Sequence, residues 1–112
     1  MSTIFGKIIR REIPADIVHE DELCLAFRDI NPQAPVHIQL IPKKEVAGLA
    51  DATPDDQSLM GHLMLTAAKI AEAQGVGDAF RLVVNNGAGA GQSVFHLHLH
   101  ILGGRPLRWP PG

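Results

Sequence analysis

Three histidines alternate with large aliphatics in the run His96-Leu97-His98-Leu99-His100-Ile101-Leu102. The i, i+2, i+4 spacing is the period of a β-strand, so the imidazoles project from one face, neighbours roughly 6.5–7 Å apart, while Leu97, Leu99 and Ile101 turn toward a core. A helix would scatter the same residues around its axis. Three readings compete for such a row. Neutral imidazoles bind zinc, copper or iron, which would make His96, His98 and His100 ligands. Three on one strand are stretched for a compact coordination sphere, however, and no Cys, Asp or Glu lies inside the motif. A polar strand face without chemistry would be better served by Lys, Thr or Glu. The third reading makes one histidine a nucleophile, with its neighbours as proton handlers and orienters.

The upstream stretch favours the nucleophile. Asn85-Asn86-Gly87-Ala88-Gly89-Ala90-Gly91-Gln92-Ser93 is small and uncharged. Asn86, Gly87, Gly89 and Gly91 invite positive φ or close backbone approach. Successive amide N–H groups in such a loop form an anion-binding concavity. Joined directly to the histidine row, it reads as a cradle for a phosphate that a histidine attacks rather than as a plain hairpin loop.

The elements that must position these groups follow from periodicity. Ile4, Phe5, Ile8 and Ile9 form the apolar face of a short helix, with Ser2 or Thr3 as its cap and Pro14 as its stop. Residues 16–20 and 23–27 are strand-like and joined by a turn at Asp21-Glu22; His19 is a surface strand residue, and Asp29 follows the second run at its mouth. Asn31-Pro32-Gln33-Ala34-Pro35 is a stiff connector into the alternating run at 36–42. There His37 shares a phase with Gln39 and is placed to meet the histidine strand. Lys43 and Lys44 read as solvated loop charges.

Thr53 as N-cap, Pro54 at N1, and Asp55 and Asp56 in the first turn start the one long helix. Its stripe of Leu59, Leu63, Ala67, Ile70 and Ala71 runs to Gln74, and Gly75 stops it. His62 lies off the stripe and is expected to be exposed; Met60 and Met64 read as core or interface filler. Residues 79–85 form a strand that feeds the glycine loop and pairs with the histidine strand as a long hairpin. The tail from Arg105 is too rich in proline for helix or central strand, and Trp109 needs some surface to pack on. The fold class expected is α+β: an antiparallel sheet of about five strands with one long and one short helix.

Composition sets the bounds. A chain of 112 residues with 46% apolar residues is expected to be one domain over 1–112, with 103–112 as a C-terminal tail. A net charge of −2 offers no attraction to nucleic acid or to an acidic membrane. The lone Cys24, between Leu23 and Leu25, reads as a small core residue. No apolar run suggests a signal peptide or a membrane span, so a cytoplasmic enzyme is expected.

Gly91-Gln92-Ser93-Val94-Phe95-His96-Leu97-His98-Leu99-His100-Ile101-Leu102-Gly103-Gly104-Arg105 resembles the signature of the histidine triad (HIT) nucleotide-binding proteins, and within them the Hint branch. The resemblance extends through Ile4-Phe5-Gly6-Lys7-Ile8-Ile9, the run from Phe27 to Pro35, Ile41-Pro42-Lys43-Lys44 and the closing Trp109-Pro110-Pro111-Gly112, so it covers nearly the whole chain. The tail separates it from the Fhit-like branch. The third histidine separates it from galactose-1-phosphate uridylyltransferase relatives, which carry Gln at that position.

The resemblance implies a purine nucleoside phosphoramidase that needs no cofactor and no metal. His98 would attack the α-phosphorus of an adenosine or guanosine 5′-phosphoramidate, and water would release AMP or GMP from the nucleotidyl-histidine. Acyl- and aminoacyl-adenylates are related substrates. His100 and the N–H groups around Gln92 and Ser93 would stabilise the nonbridging oxygens. Ser93 would pass a proton to the leaving nitrogen, and His96 and His37 would orient the row. Phe5, Ile8, Phe27 and Ile30 would wall the purine and Asp29 would hold the ribose hydroxyls. Asn85, Gly91, Gln92, Ser93 and Val94 would complete the nucleotide site with His98 and His100. A homodimer paired through the long helix and a sheet edge is implied, with Trp109 reaching the partner's site. Arg28, Asn31 and Glu45 stand where many animal members carry other residues. A nucleotide-binding regulatory protein with vestigial hydrolysis is the alternative.

Overall fold

The computed structural model describes residues 3–112, so the Ser2 alternative for the first cap lies outside the described residues. Helix α1 (Ile4–Ile9) is capped by Thr3, whose side chain accepts from the Gly6 N–H. It ends well before Pro14. Arg11 takes a left-handed φ of 61°, the Arg11 N–H donates to Ile8 O and the Glu12 N–H to Lys7 O. That is a Schellman closure built on an arginine rather than a glycine. Helix α2 (Gln57–Ala73) begins one turn later than its cap suggests, because Pro54–Asp56 forms a tight 3-10 turn first. Thr53 and Asp56 form the capping box, and Gly75 at φ 81° closes the far end.

Five antiparallel strands form one sheet in the order β1-β2-β3-β5-β4. They are β1 (Ile17–Glu20), β2 (Cys24–Arg28), β3 (Val36–Pro42), β4 (Phe80–Val83) and β5 (Leu99–Gly103). The two faces have different tenants. Cys24 and Ala26 of β2, Ile38 and Leu40 of β3, and Leu99 and Ile101 of β5 pack with Leu63, Ala67, Ile70 and Ala71 of α2. The alternate residues Leu25, Phe27 and Ile41 pack with Phe5 and Ile8 of α1 on the other face. With a period of 2, that division also sends His37, Gln39 and His100 to the α1 face.

The histidine strand is shorter than its alternation suggests. Pairing between β3 and β5 ends at Leu40↔Leu99, and His96, Leu97 and His98 precede the strand in a bent run. Continued register would set Leu97 against Pro42, which has no N–H to give to a ladder. The chain instead peels away: the Leu97 N–H donates to Val46 O at 2.7 Å, and the His96 ring takes the Pro42 carbonyl. Leu97 still reaches the α2-side core.

The expected exposure of His62 is corrected. His62 is half-buried, with Nε2 2.8 Å from Asp21 Oδ2. Lys43 and Lys44 are ion-paired to Glu20 and Asp56. Met60 packs on the core, but Met64 is exposed. Among the described residues no helix is long and apolar enough to cross a membrane.

Gly103 lets β5 pass the loop after α2, since a Cβ there would stand 2.8 Å from Val76 Cβ and Cγ2. Gly103→Ala should destabilise the fold by about 1–3 kcal/mol in urea unfolding. Val76→Ala in the same chain should recover part of that loss, and strictly additive effects would show that the two residues do not press on one another.

Candidate active site

A cavity of about 420 Å³ opens on the α1 face of the sheet. Phe5 and Ile8 of α1, Phe27 at the end of β2, and the segment Ile13, Pro14 and Ala15 give it apolar walls. Phe5 is the hinge of that wall, edge-on to Phe27 (5.4 Å between centroids) and to His98 (5.0 Å). Asp29, Ile30, Gln39, Ser93, Val94, His98 and His100 complete the lining. One end is therefore apolar and aromatic, and the other carries imidazoles, a carboxylate and a hydroxyl.

The hydrogen bonds fix each imidazole's tautomer. A carbonyl can only accept, so His98 Nδ1, 2.7 Å from His96 O, carries its proton and Nε2 keeps a free lone pair. On the same ground His96 Nε2 donates to Pro42 O at 2.7 Å. His37 Nδ1 accepts from the Gln33 N–H at 3.0 Å, which places its proton on Nε2, 2.9 Å from His100 Nδ1. His100 therefore accepts at Nδ1 and holds an N–H at Nε2. Two neighbouring rings, 5.0 Å between centroids, thus present opposite functions: a lone pair on His98 and a donor on His100.

Burial favours the neutral form of His37, His98 and His100. Burial pushes His98 below the ordinary imidazole range, although its bond to the His96 carbonyl opposes the shift. Burial, then proximity to His98 and His37, lowers His100 to about 4 against the pull of Asp29. Burial lowers His37 likewise.

Most of the expected nucleotide-site residues meet here: Phe5, Ile8, Phe27, Asp29, Ile30, Ser93, Val94, His98 and His100 line the cavity. Others do not. His96 is buried behind the row. His37 lies beneath His100 without reaching the cavity lining. Asn85 sits against Gly91, and neither lines the cavity. Gln92 is the clearest difference from expectation. Its side chain accepts from the Gly87 N–H and donates to Ala47 O and Val94 O, so it staples the loop from within.

The cradle is correspondingly narrower. Gly87 and Gly91 take positive φ, but Asn86 and Gly89 do not. The N–H groups of Ala90, Gly91 and Gln92 are spent on Gly87 O and Ala88 O. Among the described residues the Ser93 and Val94 N–H groups have no partner, and both residues line the cavity. Gln39 was legible only as a phase-mate of His37. Its Nε2 donates to Asp29 Oδ2 at 2.8 Å, and its Oε1 is buried without a partner among the described residues. Arg28 and the Ile13-Pro14-Ala15 wall gave no chemical signal in the sequence, because apolar lining and strand-end residues look the same wherever they fall.

A family model of the HIT domain matches residues 10–107. An uncharacterised HIT-like protein of Synechocystis is 69% identical over 98% of this chain and 96% of its own length. The chain belongs to the HIT family. A HIT family hydrolase from Legionella pneumophila superposes with a TM-score of 0.97 at 49% identity, covering 99% of this chain and 100% of the other. One from Clostridium thermocellum gives 0.92 at 42% identity, over 96% and 94%. The HIT histidines of this chain divide their work by position: His98 and His100 face the cavity, and His96 supplies the carbonyl that sets the tautomer of His98.

The depressed imidazoles tie HIT-fold stability to pH. An unfolded imidazole titrates near about 6.5, so between that value and the lower folded one the unfolded chain binds more protons. Stability should be full above about pH 6.5 and should fall as pH drops toward about 4, the value for His100. Urea midpoints across that window should fall, and His100→Gln should fall less steeply. A flat wild-type profile would contradict neutral burial.

Proposed function

We propose that this chain is a nucleotide hydrolase that cleaves the P–N bond of purine nucleoside 5′-phosphoramidates through a nucleotidyl-histidine at His98. The observation that carries the reading is the pinned tautomer of His98, with Nδ1–H on a backbone carbonyl and a bare Nε2 at the cavity. A neutral imidazole so oriented needs no base to activate it. Its neighbour His100, protonated at Nε2 by the chain from Gln33 through His37, supplies a donor to a nonbridging oxygen. The free Ser93 and Val94 N–H groups add two more.

His98 Nε2 forms a bond to the α-phosphorus as the phosphorus–amine bond breaks, and the amine leaves with a proton from the exposed Ser93 hydroxyl, which regains one from solvent water. Water then attacks phosphorus as the P–Nε2 bond breaks, its lost proton returns to solvent, and a nucleoside monophosphate is released. Phe5, Ile8, Phe27 and Ile30 form the apolar slot for the base, and Asp29 takes the ribose hydroxyls. Relatives that are HIT family hydrolases support the hydrolytic class. His98→Asn should lower turnover of adenosine phosphoramidate by roughly 10³-fold or more while nucleoside monophosphate still binds. Acid-quenched mass spectrometry of the wild type should find the nucleotide on His98. Near-normal turnover by the variant would overturn the reading, and an adduct on His96 would relocate the nucleophile.

The proposal extends to a homodimer in which the tail serves the partner's site. The start of the tail is tied to its own chain by Arg105 Nε to Gln33 O and Arg81 Nη2 to Arg108 O, yet Trp109 remains 82% exposed. An indole left in water forgoes about 2–3 kcal/mol of burial, and proline-stiffened chain crosses to another surface at low entropic cost. Truncation after Gly104 should change the preference among amine leaving groups while leaving nucleotide affinity and dimerisation in place. An unchanged leaving-group profile would remove the tail from the site.

A further inference from the structure

On the face of the sheet away from the cavity, the β1–β2 turn gathers a second set of chemically able side chains. His19 pairs with Ala26 in the β1–β2 register, Cys24 belongs to the α2-side core, and His62 is on α2 itself. All three converge on Asp21. His19 Nε2 is 3.0 Å and His62 Nε2 2.8 Å from Asp21 Oδ2, and Cys24 Sγ is 3.4 Å from both carboxylate oxygens. The other oxygen, Oδ1, is held by the Leu23 and Cys24 N–H groups at 2.8 and 2.9 Å. This carboxylate thus cannot turn away, and Oδ2 is aimed at the two imidazoles and the thiol.

We infer that His19, Asp21 and Cys24 form a site for a zinc-like divalent cation on the β1–β2 turn, with His62 beside it on Asp21 Oδ2 and solvent water completing the coordination. The donor atoms of His19, Asp21 and Cys24 lie within 4.8 Å of one another. Tetrahedral zinc with bonds of about 2.0–2.3 Å puts its donors about 3.3–3.7 Å apart, so separations of 3.0 and 3.4 Å need only a small expansion. One imidazole, one carboxylate and one thiolate suit zinc and exclude magnesium and calcium, which take oxygen alone.

Crowding argues the same way. Without an ion, two backbone N–H groups, two imidazoles and a thiol all direct hydrogens at one carboxylate, which offers about four lone-pair sites. A cation that takes the place of the side-chain hydrogens removes that excess. His19 and Asp21 are each about one-third exposed and Cys24 is fully buried, so an ion arriving from solvent meets the imidazole and the carboxylate before the thiol. His62, hydrogen-bonded to Asp21, ties the turn to helix α2, and the site is independent of the chemistry at His98.

The chain has a single cysteine, which gives this site its own spectroscopic signature. Titration of the reduced, folded protein with Co(II) should develop a sulfur-to-cobalt charge-transfer band in the near ultraviolet that saturates at one equivalent and is displaced by Zn(II). Imidazoles of the cavity cannot produce that band. Cys24→Ser should abolish it, His19→Gln should weaken cobalt binding by about tenfold or more, and His98→Asn should leave it unchanged. Zinc should also raise the melting temperature of the wild type and not of His19→Gln, a surface-strand variant that keeps the test available if Cys24→Ser does not fold. Cobalt uptake without the sulfur band, or a band of full strength and affinity in His19→Gln, would overturn the site.

Discussion

The structure depends on the alternation along two adjacent central strands, β3 and β5. Each must bury one face under α2 and give the other to the cavity, and a β-strand can do both only at a strict period of 2. Ile38 and Leu40, with Leu99 and Ile101, meet that demand on the core side. His37, Gln39 and His100 then share the opposite side because nothing else is possible. The register Gln39↔His100 brings them together across the ladder, so the packing that makes the core also assembles the site.

The proline that closes β3 gives the site its asymmetry. Three imidazoles on one regular strand would be equivalent and evenly spaced. Because Pro42 has no N–H, the pairing stops at Leu99, the run before it bends, and His96 turns to bond the Pro42 carbonyl. His98 then lies close enough to His96 O to donate its Nδ1–H to it in a hydrogen bond. One histidine becomes backbone support, one a lone-pair bearer and one a donor. Burial of His37, His98 and His100 is costly for a charged ring, and it pushes all three below the ordinary imidazole range.

The glycine loop shows where composition misleads. Gly, Ala and Asn in close succession suggest free amides throughout, yet the N–H groups of Gly87, Ala90, Gly91 and Gln92 are bonded within the loop. Gln92, around which the resemblance sets N–H groups toward the phosphate, is buried, and its side chain bonds to Gly87, Ala47 and Val94. A buried carboxamide has two donors and an acceptor to satisfy. In a loop without regular structure the nearest backbone groups satisfy them first. Only the Ser93 and Val94 amides, where the loop runs into the histidines, remain open at the cavity.

The sequence by itself determined about five strands along the chain, both helices, the Thr53 start signal, the inward phase of Leu97, Leu99 and Ile101, and the histidine row as the chemical centre. These are local or periodic properties, set by side-chain alternation, turn residues and capping atoms within a few positions. Tertiary structure decided which nitrogen of each ring holds a proton, which loop amides stay free, that Gln39 and the Ile13-Pro14-Ala15 segment line the cavity, and that His62 of α2 meets Asp21 of the β1–β2 turn. Each of those depends on a partner far away in sequence, His37 and His100 being 63 residues apart, and no local pattern encodes the distance between them.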